Sequence, residues 1–538
     1  MATWLDKWQP EDPQFWKETG GGIAWLTLGV TTFSLIASFA TWFVMSAVVV
    51  RLPNIGFQFD KMQLFWLAAM PGLASGILRT IHSFLIPIFG TRTTVTTATF
   101  IKLIPMVWLG YAVQNPETSY STFLVIAFLC GMGGGDFSSF MPSSSVFFPK
   151  RLQGTAMGIQ AGIGNFGVSL TQFVTPWIIG FVALGAVAGG PQLFKKTDIL
   201  KDVAVTKDAG VVTDVVVKNP ALASAIVITK DGGVVKDVVF QATDATKSMK
   251  LDVTKNDAGV VTDLVVKKVV EKNIWLQNAA FWFIPFLIVA GILCAIFLKS
   301  VPLKASVGEQ FRIVLGTKHM YFCVIIYIMT FGSFSGFAAA FPLMIKTIYG
   351  GFDGAPDPLK YAFLGPLIGS AVRFAGGPVS DKWGGSIFTQ LSGIGLILGC
   401  LALIFGGYLT PTGLNQFPVF VALMLWIFLM AGIGNFSTFR QFPIIFAYSP
   451  KAGAQSLGWT GAWAAYGPFV FASLIGASIA KTGSAVTFFA GAIIFYVIAS
   501  ILNYWYYTRW NGERYDFGHG KTWWDNPEKR AAYERTVR

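Results

Sequence analysis

The chain has 538 residues, 54% of them hydrophobic and only 12% charged, with a formal net charge of +13. That is too little charge to cover a soluble protein of this length. The cations form no basic, aromatic-interleaved stripe on a polar domain, so a nucleic-acid partner is not expected. Cys130, Cys294, Cys323 and Cys400 are scattered through apolar runs and, with three histidines, make no metal-ligand spacing, so no metal or cofactor is expected.

Residues 1–21 are polar and carry acids, without the apolar core and small-residue cleavage site of a signal peptide, and are expected to form a cytoplasmic N-terminal segment. A hydrocarbon core roughly 30 Å thick takes about 20 helical residues. Twelve apolar runs meet that length: 22–50, 63–89, 93–113, 121–147, 154–187, 274–298, 318–345, 359–383, 387–409, 416–446, 453–480 and 485–508. The fourth, fifth and tenth are overlong, with Pro142, Pro176, Pro443 and Pro468 as candidate kinks or ends. With the N-terminus inside, Arg92, Lys150, Arg151, Lys299, Lys304, Arg312, Lys318, Lys382 and Lys451 fall in inner loops, against Arg51, Lys61, Lys346, Lys360 and Lys481 outside. The tail after Tyr507 adds further cations, so both termini are expected in the cytoplasm.

Residues 193–272 break the pattern. They contain three related stretches, Val203–Val217, Ile226–Phe240 and Leu251–Val266, each with β-branched runs flanking Asp, Ala or Gly turn residues. This predicts β-hairpins forming a small sheet outside the bilayer, on the periplasmic or extracellular face. The aspartates would suit a Ca²⁺ repeat, but solvated hairpin faces account for them more simply. The expected organisation is a bundle of six helices (22–192 and 273–298), interrupted by the 193–272 insert, a cytoplasmic linker (299–317), a second bundle (318–508) and a cytoplasmic tail (509–538). The halves echo each other: GGDFSSF at 134–140 matches IGNFSTF at 433–439, and Arg79 precedes Gly90 by the same spacing as Arg373 precedes Gly384.

A charged side chain inside a bilayer costs several kcal/mol unless it is paired or faces water. Arg79, Asp136, Arg373 and Arg440, with the titratable His82, fall well inside apolar runs. Arginine cannot escape by deprotonating. Arg79 and Arg373, near the middles of the second and eighth runs with no acid in either interior, predict an anion site; pairing of each with a carbonyl or a distant acid is the competing reading. Phe39, Phe137, Tyr327 and Phe331 lie in runs that would face these arginines, Tyr327 and Phe331 on one helix face, although generic packing would explain any single ring. Asn165, in the glycine-rich GIQAGIGNFG, is a candidate further donor. No nucleophile–base set is visible, so an enzyme is not expected.

Several stretches together, GILRTIHSFLIPIFG (76–90), GGGDFSSFMPSSSVFFPK (133–150), GNFGVSLTQFVTPWII (164–179), YIMTFGSFSGF (327–337) and YAFLGPLIGSAVRFAGGPVSDKWGG (361–385), resemble the nitrate/nitrite porters of the major facilitator superfamily, NarK type. WQPEDPQFW (8–16) extends the likeness to the N-terminus. The resemblance implies an all-α membrane protein of the major facilitator fold, with twelve transmembrane helices in two six-helix bundles working by alternating access in the cell inner membrane. It implies nitrate and nitrite as the transported partners, a part in nitrate assimilation, and a monomer in the lipid bilayer. Arg79 and Arg373 match the substrate arginines, Phe137 and Phe331 the rings that pack on the anion, Tyr327 and Asn165 its polar neighbours, and Phe39 a pocket aromatic. Asp136, Arg440 and His82 depart from the family pattern. An Asp136–Arg440 pair between the halves is expected to close the inner gate, with His82 or Asp136 as the group a coupling proton would need. Nitrate/nitrite antiport is the expected mode. Proton-coupled nitrate symport, carriage of another small anion, and a membrane sensor using the insert are the alternatives.

Overall fold

The computed structural model describes residues 4–182, 189–200, 203–301, 307–352, 354–518 and 520–537. Lys304 and the end of the fifth expected run, 183–187, lie outside the described residues.

In chain order the main helices are α1 (Pro13–Val48), α2 (Lys61–Ile86), α3 (Ile88–Ala112), α4 (Tyr120–Ser145), α5 (Lys150–Ile178), α6 (Asn278–Phe297), α7 (Lys318–Tyr349), α8 (Leu364–Ala375), α9 (Gly385–Phe405), α10 (Leu414–Ile445), α11 (Gln455–Thr482) and α12 (Val486–Thr508). Among the described residues ten helices, all of these but α5 and α8, are long and apolar enough to cross a membrane. Where the sequence predicts twelve, α5 is diluted by glycines and by buried Gln160, Asn165 and Gln172. The eighth run is cut into Leu359–Ala362, α8 and Gly377–Trp383.

Local chemistry sets the ends. Asp60 and Gln63 form a reciprocal capping box at the start of α2, with bonds of 2.7 and 3.0 Å. Pro142, Pro176 and Pro443 sit in the last turns of α4, α5 and α10, and Pro468 opens the second half of α11. Gly90 (φ 75°) and Gly384 (φ 92°) occupy left-handed turns at corresponding places in the two halves. Without a hydrophobic drive between helices in lipid, close approach of small residues supplies the packing. A Cβ on Gly432 of α10 would stand 2.7 Å from the Gly369 carbonyl of α8.

Between α5 and α6 the described residues form seven strands: β1 (Gln192–Ile199), β2 (Val203–Asp208), β3 (Val211–Val217), β4 (Ile226–Asp231), β5 (Val234–Phe240), β6 (Met249–Lys255) and β7 (Val261–Ile274). They do not join into the single sheet the sequence suggests. β7 pairs with β1 and β6, while β2–β3 and β4–β5 stand as separate hairpins. Each repeat shifts register after its threonine, at Thr206/Lys207, Thr229/Lys230 and Thr254/Lys255. Such bulges twist the strands away from continued pairing. Val212, Val215, Val235, Val238, Val261 and Leu264 form the small core between the repeats.

The tail is a strap rather than a free end. Asp516 accepts from the Gly385 N–H (2.8 Å) at the start of α9, and Trp523 Nε1 donates to the Ile444 carbonyl (2.7 Å) at the end of α10. Glu513 receives Lys318 Nζ at 2.8 Å and stands 2.9 Å from His319 Nε2. Burial alone would raise the Glu513 carboxyl, but these partners outweigh it and hold it below its ordinary range.

Candidate functional site: a buried arginine pair

Arg79 on α2 is fully buried and Arg373 on α8 is 6% exposed. The Arg79 Nε donates to the Gly134 carbonyl of α4 and its Nη1 to the Gly461 carbonyl of α11, both at 2.8 Å. Arg79 Nη2 and both Nη atoms of Arg373 are buried without a well-formed hydrogen bond, the Tyr327 hydroxyl interacts with Arg373, and no carboxylate pairs with either side chain among the described residues.

Aromatic rings take the place of acids. The Arg79 guanidinium carbon lies 4.7 Å from the Phe137 centroid, 5.4 Å from Trp42 and 5.2 Å from Phe331. Arg373 lies 4.6 Å from Phe439 and 5.6 Å from the same Phe331 ring. Phe331 is therefore shared by the two cations. It sits in a π-helical turn, Ile328–Gly332, inside α7, a local widening frequent at functional sites. Tyr327 stacks on Phe331 at 5.5 Å and 13°, its buried hydroxyl directed to Arg373. Phe39 stacks on Phe137 at 6.1 Å. Asn165 is fully buried, and neither of its amide atoms forms a hydrogen bond, to an arginine or otherwise, among the described residues. Two cations with free planar donors, walled by rings, can accept a small flat anion through charge-assisted hydrogen bonds.

Three sequence-predicted residues lie elsewhere, and the expected Asp136–Arg440 gate does not form. Asp136 accepts from Ser38 Oγ on α1 at 2.6 Å and from Lys102 Nζ on α3. His82 Nδ1 stands 3.8 Å from Asp136 Oδ1 and 2.9 Å from Ser139 Oγ. Arg440 bonds Asp381 at 3.0 Å and Asp516 at 3.3 Å, within its own half. Each charge has a nearer partner than the one across the halves: an overlooked lysine for Asp136, and a strap that folds back for Arg440. Lys102 was legible as a cation inside the third apolar run. Phe439 was legible too, as the counterpart of Phe140 in the echo, although the ring on Arg79 is Phe137 and not Phe140. A groove of about 550 Å³ lies apart from these residues, between α5 and Leu359–Phe363, lined by Phe173, Trp177, Phe181 and Lys360.

No family model matches the chain. Its sequence is 46% identical over 513 residues to the "Probable nitrate/nitrite antiporter NarK2" of Thermus thermophilus, spanning 95% of this chain and 98% of that protein. It is 34% identical over 530 residues to the "Nitrate/nitrite transporter NarU" of Salmonella typhimurium (94% and 96%). To that of Escherichia coli it is 33% identical over 527 residues (94% and 96%).

Proposed function

The chain belongs to the nitrate/nitrite porter family, and on that premise we propose that it carries nitrate and nitrite across the inner membrane with the anion held between Arg79 and Arg373. The observation that supports this most is the pair itself: two buried guanidiniums on α2 and α8, without a carboxylate partner among the described residues, leaning on one ring, with three Nη atoms that make no well-formed hydrogen bond there. Unit charges at about 4 Å attract by about 4 kcal/mol at an effective dielectric of about 20, before desolvation, so an anion relieves a repulsion the empty site keeps. Phe137, Phe331 and Phe39 would wall the anion, and Tyr327 and Asn165 offer it polar atoms. His82, Asp136 and Arg440 would act at a distance from it.

In this reading α1 to α12 are twelve spans in two six-helix bundles of the major facilitator fold, in a monomer with both termini cytoplasmic and the strand-rich segment outside. Loaded halves rock past each other; an empty, doubly positive site resists the transition. The consequence is antiport.

Calorimetric nitrate binding to the purified protein and its R79K and R373K variants tests the site. Lysine keeps the charge but loses the planar fork, so each variant is expected to bind about 100-fold more weakly; wild-type affinity in either overturns the site. Counterflow in proteoliposomes tests the mode. Labelled nitrate should enter only against nitrite or nitrate inside, and uptake driven by a pH gradient into anion-free vesicles overturns antiport in favour of symport.

A further inference from the structure

Asp136 and Lys102 form an ion pair with both side chains 1% exposed. Four helices meet there. Lys102 comes from α3 and also donates to its own Ala98 carbonyl at 2.6 Å; Ser38 comes from α1; Asp136 belongs to α4. From α2, His82 reaches Asp136 and Ser139 one turn after Arg79, while Arg79 itself reaches the Gly134 carbonyl two residues before Asp136. The two links from α2 to α4 thus straddle the carboxylate. This part of α4 is short on handles. Gly133, Gly134 and Gly135 offer no side chain, and the α4 pattern is interrupted at Gly131 and again at Asp136. Asp136 is the first side chain after the glycines that can fix where the Gly134 carbonyl points.

Aligned on Gly90 and Gly384, the counterpart of Lys102 in the second half is Leu396; aligned on the echo, the counterpart of Asp136 is Asn435. Neutral residues therefore stand at both corresponding positions of α9 and α10, which pack together. A buried ion pair is a poor source of stability, since desolvation consumes most of its attraction, so packing alone does not account for charges at these positions in the first half. We propose that Lys102 and Asp136 are positioning residues for Arg79. They pin the glycine turn so that the Gly134 carbonyl holds Nε and leaves Nη2 for the anion. This rests on the reading of Arg79 as a substrate residue.

The test is the double variant K102L/D136N, which copies the second half and strands neither charge of the pair. It is expected to stay monodisperse and to melt near the wild type, while KM for nitrate rises about 10-fold with a smaller change in Vmax, since small misplacements of a binding group cost on that scale. A folded double variant with wild-type KM overturns the proposal. S38A removes one hydrogen bond from Asp136 without stranding a charge, and should raise KM about threefold, the size of one hydrogen bond. An unchanged KM there overturns the proposal even where the double variant fails to fold. R79K runs alongside: if it binds nitrate normally, the substrate reading has failed; if it does not bind while the double variant is normal, only the positioning role has failed.

Discussion

At the scale of single residues, the problem is a charge that cannot be shed in a place without water. Arginine keeps its proton, so the surroundings must supply carbonyls, rings or an anion. Arg79 has two carbonyls and three rings, Arg373 two rings, and Phe331 serves both. Cation–π contacts contribute about 0.5–2 kcal/mol each. Replacing the shared ring, F331A, should therefore weaken nitrate binding about 10-fold or more by calorimetry. F331Y, which keeps the face, should remain close to wild type. Equal affinities in the two variants would show that the ring does not matter.

At the scale of elements, the strand-rich segment is tied together by charges the hairpin pattern does not announce. Lys207 pairs with Asp263, Lys230 with Asp214 and Lys255 with Asp237, at 2.8, 2.6 and 2.7 Å. Each repeat's lysine reaches the aspartate of another repeat, and the three bonds close a ring. Hydrogen bonds from these lysines hold the three carboxyls below the ordinary aspartate value of 3.8. A depressed folded-state value means the pairs stabilise above the unfolded value and are lost as pH falls through the folded one. Protection of the 203–266 amides, taken relative to the intrinsic exchange rate at each pH, should therefore fall as the pH drops below the ordinary aspartate value of 3.8, more at low salt than high, because exposed pairs are screened. Protection that does not change as these carboxyls are protonated would rule out the ring as a tie.

For the whole molecule, the ends of α1 and α7 are cross-linked next to the strands. Arg51 Nη2 binds Asp357 at 2.7 Å, and Lys346 donates to the Val50 carbonyl and, at 2.9 Å, to Asn54 Oδ1. Below them Gln172 of α5 reaches the Ala338 carbonyl of α7 at 2.8 Å. This end is closed in the structure, and the closure uses partly screened ions that can separate. D357A should favour opening there. With the native cysteines, all buried, replaced, a cysteine introduced at the buried Ser46 should react with maleimide about fivefold faster in D357A, the shift about 1 kcal/mol produces. Unchanged labelling would mean that the bridge does not hold this end.

What the sequence determined by itself is what a one-dimensional string can carry. Apolar run lengths give the helices, Asp/Ala/Gly turns between valine runs give the hairpins, and two arginines in acid-free runs give the candidate site. These depend on residues close in the chain, so local hydropathy and turn chemistry suffice. Only the tertiary structure decided who meets whom: Asp136 with Lys102, Arg440 with Asp381 and the returning Asp516, and Phe331 between two cations with Phe439 behind the second. Those contacts depend on how each helix is rotated and how closely its small residues let a neighbour approach. Side chains tens to hundreds of positions apart then become nearest partners, and no reading along the chain ranks one against another.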